Sequence, residues 1–404
     1  MLVITTALAL PALGLRIAYI FAGVHVELSP LTGALVYGGA IIAAAFVISW
    51  TAEAAQKDIS QALAIAFVAL IAVLPEYSVD IVLAWKAGAD PGGDYIHYAA
   101  ANMTGANRLL VGFGWPLVFL LFWLKNRGGL FLDKSIALEL VPLGVATLLS
   151  FFVVLNGSIE LWHSFLLLAI FVVYIWLVSR AHVEEPELIG PAQAIGSLRK
   201  GRRMVALVFF FAFSALAIMV SAEPFVESLL ETGKSLGIDE FILIQWVAPL
   251  ASEAPELLVA CIFALRGHAL WAMVALVSSK VNQWTLLVAS LPIAYSASLG
   301  SASHLPLDAR QTEEFLLTSA QSLFAIVLLL KLRIKGIAAG ALFVLFITQL
   351  FFTSTHDRYI YSFIYLGLAF LLLVKDMGRF RQIGVLLNEF LSKFKKPPAE
   401  EKVA

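Results

Sequence analysis

Charge and cysteine are what this sequence has least of. Of its 404 residues only 14% are Asp, Glu, Lys or Arg and 61% are hydrophobic, against about 25% and 45–50% in soluble domains. A soluble globular chain is excluded. Cys261 is the single cysteine, so neither an internal disulfide nor a cysteine-based metal cluster can form. The formal net charge is -1 and no domain is basic enough to meet phosphates, which argues against a nucleic-acid partner. No HExxH zinc motif, glycine-rich phosphate loop or serine-centred elbow falls in a span or loop, so enzymatic chemistry is not expected.

What the sequence has is length in its apolar runs. About 20 residues cross a bilayer as a helix, and windows of that size predict twelve spans. They lie near 2–23, 31–52, 59–84, 95–124, 136–155, 159–179, 204–229, 238–265, 269–297, 312–330, 336–354 and 359–374. The first lacks a basic amino-terminal region and is read as a span rather than a signal peptide. The expected fold class is an all-α polytopic membrane protein of about 12 transmembrane helices. Of the 27 basic residues, Arg16, Arg108 and Lys280 fall inside spans, and Lys86, Lys234, Arg310 and Arg358 fall in loops on one side. All the others fall on the opposite side, as the positive-inside rule demands if both termini are cytoplasmic. The most polar loop, 181–203, runs from Glu184-Glu185-Pro186-Glu187 to Arg199-Lys200-Gly201-Arg202-Arg203 and reads as a solvated linker. The basic tail after 375 reads as a surface helix on the cytoplasmic leaflet.

An internal repeat organises the spans. Residues 69–84 read ALIAVLPEYSVDIVLA and residues 249–264 read PLASEAPELLVACIFA. Each places Pro-Glu, Pro75-Glu76 and Pro255-Glu256, inside an apolar helix, with a basic residue ten positions on, at Lys86 and Arg266. The charge pattern puts the two following loops on opposite sides. Spans 2–6 and 7–11 are therefore two five-helix halves of opposite topology, with one helix added at each end. Inverted repeats with helices broken at matching positions point to a secondary transporter with a midplane site, because an intrahelical Pro frees a carbonyl that an ion can use.

Carboxylates within a bilayer are expensive, about 2.5–3.5 kcal/mol each on insertion scales, and here they cluster. Glu76 and Asp80 share a helical face, as do Glu253 and Glu256. The following spans add Asn102, Thr104 and Asn107 in the first half, and Ser278, Ser279, Asn282 and Gln283 in the second. Carboxylate and amide oxygens suit a hard cation such as Ca²⁺ or Na⁺. Lys280 is a candidate counter-ion or switch, since a buried Lys can lose its proton; Arg108 is a permanently charged counter-ion. Glu223 is read as a helix-end cap, and His97, His163 and His268 as interfacial residues near span ends.

These residues resemble the calcium:cation antiporter superfamily, whose familiar members are sodium/calcium exchangers. The family repeat runs Gly-Thr-Ser-Leu-Pro-Glu on one helix and Gly-Asn-x-x-Gly-Ser-Asn-x-x-Asn on the next. It is similar to Ile71-Ala72-Val73-Leu74-Pro75-Glu76 with Ala101-Asn102-Met103-Thr104-Gly105-Ala106-Asn107. The second copy resembles it in Ala251-Ser252-Glu253-Ala254-Pro255-Glu256 with Ser278-Ser279-Lys280-Val281-Asn282-Gln283. The resemblance implies Glu76 and Glu256 as the central cation-binding carboxylates, helped by Asn107 or Asn102, Gln283 and Ser252. Ala72-Val73 replace Thr-Ser, Lys280 replaces an Asn, and Glu253 replaces a Ser. Those departures favour exchange of Ca²⁺ or Na⁺ against H⁺ or Na⁺ over three-sodium coupling. The implied organisation is an extra helix (1–30), a first half (31–180), a linker (181–203), a second half (204–354) and an extra helix with basic tail (355–404). The expected setting is the plasma or inner membrane, with inorganic cations and lipid as partners, no cofactor, and an oligomeric state the sequence leaves open. The competing expectation is a non-transporting sensor or assembly protein whose cation site is filled by Lys280 and Arg108.

Overall fold

Capping and glycine chemistry punctuate the apolar runs where helices begin and end. The computed structural model describes residues 1–24, 26–58, 74–180, 188, 190–352 and 354–395. Helix α1 spans Leu2–Ala22 and α2 Pro30–Ala55, the latter capped by the Ser29 hydroxyl, which accepts from the Thr32 amide at 3.3 Å, with Pro30 in its first turn. Helix α3 is described over Leu74–Ala89. Helix α4 (Tyr95–Leu109) passes through a π turn at Leu110–Gly114 into α5 (Trp115–Asn126). Strand β1 (Leu130–Phe131), helix α6 (Ala137–Asn156), strand β2 (Ser158–Ile159) and helix α7 (Leu161–Val178) follow. Gly157, in the left-handed region at φ 63, ends α6 and turns the chain into β2.

The short α8 (Pro191–Gly196) precedes α9 (Lys200–Leu236) and α10 (Glu240–Arg266). Helix α11 (Ala269–Asn282) runs through a second π turn, Gln283–Leu287, into α12 (Val288–Leu299). Strand β3 (Leu305–Pro306), α13 (Ala309–Leu329), strand β4 (Arg333–Ile334), α14 (Gly336–Gln349), α15 (Thr355–Lys375) and α16 (Gly378–Lys395) complete the chain. Helix α13 opens on a capping box, in which Asp308 accepts from the Gln311 amide at 2.8 Å and Gln311 returns the bond at 2.9 Å.

The fold is all-helical. Among the described residues nine helices are long and apolar enough to cross a membrane. The α11–α12 run and the short α14 occupy two more of the twelve expected positions, and the first part of the third expected span lies outside the described residues. Helix α9 is longer than the span at 204–229 because it continues into polar sequence at both ends. Two sequence readings change. Arg358, placed in a loop, is a buried residue of α15. Glu223 lies inside α9 and does not cap it; its carboxylate accepts from Arg16 of α1 at 2.7 Å.

The chain divides into two compact units, residues 1–83 with 178–255, and residues 84–177 with 256–398. The division falls within α3 and within α10, the two Pro-Glu helices. In the first unit α2 and α9 pack antiparallel. A Cβ on Gly38 would sit 2.7 Å from the Phe225 ring, Ala44 and Ile48 meet Ala217 and Ile218, and at the far end Arg203 clamps Asp58 with two bonds of 2.5 and 2.7 Å. That guanidinium holds the Asp58 carboxyl below its usual range. Small residues let these backbones approach where lipid offers no hydrophobic push.

In the second unit β1 pairs antiparallel with β4, and β2 with β3. Helix α6 therefore runs from the β1–β4 end to the β2–β3 end, and α13 runs back. Helices α2 and α9 are the first members of the two halves, α6 and α13 the fourth. Both pairs run in opposite senses, as inverted repeats require. The two π turns also occupy matching places in the fourth and ninth expected spans.

Candidate functional site

Three of the four carboxylates expected from the sequence, Glu76, Asp80 and Glu253, are buried. In the first unit Glu76 and Asp80 on α3, and Ser252 and Glu253 on α10, expose 3% of their surface or less. Pro255 has no N–H, so the Ala251 carbonyl one turn earlier is released from the helical ladder. Beside it the Ser252 hydroxyl donates to the Ala248 and Pro249 carbonyls at 3.3 and 3.2 Å. This stretch of α10 thus concentrates oxygen atoms in an apolar setting.

In the second unit Glu256 on α10 is partly exposed, whereas Asn102, Asn107, Lys280 and Gln283 are buried. Asn107 and Lys280 each stand three residues before a π turn, so they occupy equivalent positions in the two repeats. They meet: the Lys280 ammonium donates to the Asn107 carbonyl at 3.2 Å. Its charge also lies 4.7 Å from the Trp284 ring centre, a cation–π distance. A π turn shifts the backbone hydrogen-bond register, and side chains engage the carbonyls just ahead of this one, Lys280 at Asn107 and Gln321 at Arg108, the latter at 3.5 Å. The Asn107 amide N–H donates to Met103 O at 2.9 Å, which leaves its carbonyl oxygen to be directed elsewhere. Among the described residues no three His, Cys, Asp or Glu side chains converge into a metal cage.

Arg108 stands beside Asn107 in sequence but serves another cluster. It pairs with Glu314 of α13, which also pairs with Arg358 of α15, and all three are buried. The sequence reading passed over Glu314 and its neighbour Glu313. Their signal was available as two adjacent acids opening a run that continues through Thr318, Gln321 and Ser322. The histidines sit at helix ends. His97, at the start of α4, meets Asp308 at 3.2 Å; His163, in the first turn of α7, accepts from the Glu160 amide at 3.0 Å; and His268 caps α11 while stacking on Trp271.

A family model for the sodium/calcium exchanger protein matches residues 29–180 and 206–355, covering both repeat halves. The chain belongs to the sodium/calcium exchanger family. Among solved structures it is similar to an H⁺/Ca²⁺ exchanger, CAX, with 44% identity over 98% of each chain and a TM-score of 0.91. Native YfkE shares 15% identity over 91% of this chain and 99% of its own, with a TM-score of 0.59. The sodium-calcium exchanger NCX_Mj shares 15% over 80% and 98%, with a TM-score of 0.52. At that identity the latter two speak for the exchanger fold alone. None of the curated proteins matches. Membership makes this chain a multi-pass membrane protein of a cation-exchanging family.

Proposed function

We propose that the protein exchanges Ca²⁺ for H⁺ across the inner membrane by alternating access, with Glu76 and Glu256 as the cation-carrying carboxylates. The observation that carries this reading is the whole-chain likeness to an H⁺/Ca²⁺ exchanger, in a chain that keeps both Pro-Glu helices. A carboxylate holds either a proton or its share of a divalent ion, so Ca²⁺ and protons displace one another at the same oxygens. Coupling follows if the loaded forms reorient and the empty, doubly charged form does not. Asp80, Glu253, Ser252, Asn102, Asn107 and Gln283 supply further oxygens, and Pro75 and Pro255 open their helices to present them. Residues 31–180 and 204–354 act as the two halves, with both termini cytoplasmic, a reading supported by Lys331, Arg333 and Lys335 around β4 and Lys125, Arg127 and Lys134 around β1.

Two departures from the family repeat support protons rather than sodium as the counter-ion: Glu253 adds a carboxylate that can carry a proton, and Lys280 adds an amine that can release one. The test is Ca²⁺ uptake into proteoliposomes under an imposed pH or Na⁺ gradient. The pH gradient should drive uptake, and Glu76→Gln and Glu256→Gln should each abolish it while the protein stays folded. Lys280→Met should displace the pH profile of uptake. Normal transport by both Gln variants would remove the site assignment. No flux of any cation in correctly inserted protein would favour a scaffold plugged by Lys280.

A further inference from the structure

Helix α16 follows the last candidate span and is too polar to cross a membrane; its residues sort onto three faces at 100° per residue. One face is held by the protein. Leu386 is buried and the Arg379 guanidinium donates to the Val327 carbonyl near the end of α13, while on the adjoining apolar side the partly exposed Phe394 ring lies 5.6 Å from that of Trp176 on α7. Just before the helix Asp376 pairs with Lys331 at 2.7 Å. A second face carries Arg381, Gly384 and Asn388, all exposed. Between them runs an apolar stripe, Phe380, Ile383, Leu387 and Leu391, at spacings of one helical turn. These side chains are 50%, 36%, 41% and 53% exposed although they are large and apolar, a pattern that marks an interaction surface.

Charge decides what covers the stripe. The helix carries Arg379, Arg381, Lys393 and Lys395 against a single acid, Glu389, and Lys331, Arg333 and Lys335 lie at the same end of the second unit. A second copy docked on this face by a two-fold axis would bring like charges together. A bilayer surface offers acyl chains to the stripe and phosphates to its basic flank. We infer that α16 is a lipid-binding clamp: it lies in the membrane interface, reads anionic phospholipid headgroups through Arg381, and fastens the ends of α7 and α13 to that surface.

The test places a fluorophore at Leu391→Cys or at Asn388→Cys in full-length protein carrying Cys261→Ser, reconstituted into phosphatidylcholine vesicles with or without phosphatidylglycerol. Quenching by spin-labelled lipid should be at least about two-fold greater at position 391 than at 388. It should rise with the anionic lipid, and Arg381→Glu should cancel that rise. Equal quenching at the two positions would overturn the interfacial placement. Quenching indifferent to lipid charge would overturn headgroup recognition. Cross-linking between copies through position 391 would make the stripe a subunit interface and overturn the proposal. None of these outcomes depends on whether the protein transports Ca²⁺.

Discussion

Arg108, Glu314 and Arg358 form the most consequential set of side chains outside the Pro-Glu helices. Two guanidiniums share one carboxylate, and all three are buried. Removing one member of a buried ion pair strands a charge and typically costs about 3–5 kcal/mol, whereas replacing the whole set with apolar side chains can be nearly neutral. Glu314→Leu should therefore lower the melting temperature in detergent sharply, because it leaves two buried guanidiniums without their shared carboxylate. The triple replacement of Arg108, Glu314 and Arg358 by Met, Leu and Met should cost less. Equal losses from the single and triple variants would show that the triad's value lies in its particular geometry rather than in charge balance. Lys280 is different in kind, because its ammonium leans on a backbone carbonyl and a ring; losing it strands no partner charge among those two contacts.

At the scale of elements, close approach of α2 and α9 shapes the first unit, and glycine makes it possible. A Cβ at Gly38 would stand 2.7 Å from a ring carbon of Phe225, while one at neighbouring Gly39 would meet nothing within 4 Å. Gly38→Leu should destabilise by at least about 1–3 kcal/mol through overpacking. Gly39→Ala should stabilise by about 0.4–1 kcal/mol, because it restricts the unfolded chain at no steric cost. Thermal unfolding of the two variants distinguishes them, and a tolerated Gly38→Leu would mean that the helices can separate without loss. The sequence announced these helices through hydropathy, and the Pro-Glu repeat announced α3 and α10. It did not announce the π turns, since a one-residue change of hydrogen-bond register leaves no compositional trace.

For the whole molecule, the pairings β1–β4 and β2–β3 fix which loops share an end. Basic residues collect around the first pair, whereas Glu160, His304 and Asp308 lie beside the second. In intact cells a membrane-impermeant thiol reagent should therefore label His304→Cys and leave Lys335→Cys unmodified, both in a Cys261→Ser background. Labelling of both, or the reverse pattern, would overturn the orientation proposed from charge.

The sequence by itself determined the helical membrane class, the two-fold repeat and the positions of its acids, because hydropathy, proline and charge are local quantities that a bilayer reads directly. Even the opposite sense of the halves was legible, through the counting of Lys and Arg. What only the tertiary structure decided is who meets whom. Arg108 and Lys280 look alike in sequence as intramembrane cations. Helix packing gives one to Glu314, more than 200 positions away, and sets the other on the repeat-equivalent Asn107. Arg358, a loop residue by its polarity, becomes a core residue because Glu314 awaits it there. Partner choice is set by which helices pack side by side, and that follows from the shape and small-residue contacts of whole elements rather than from the residues nearby in the chain.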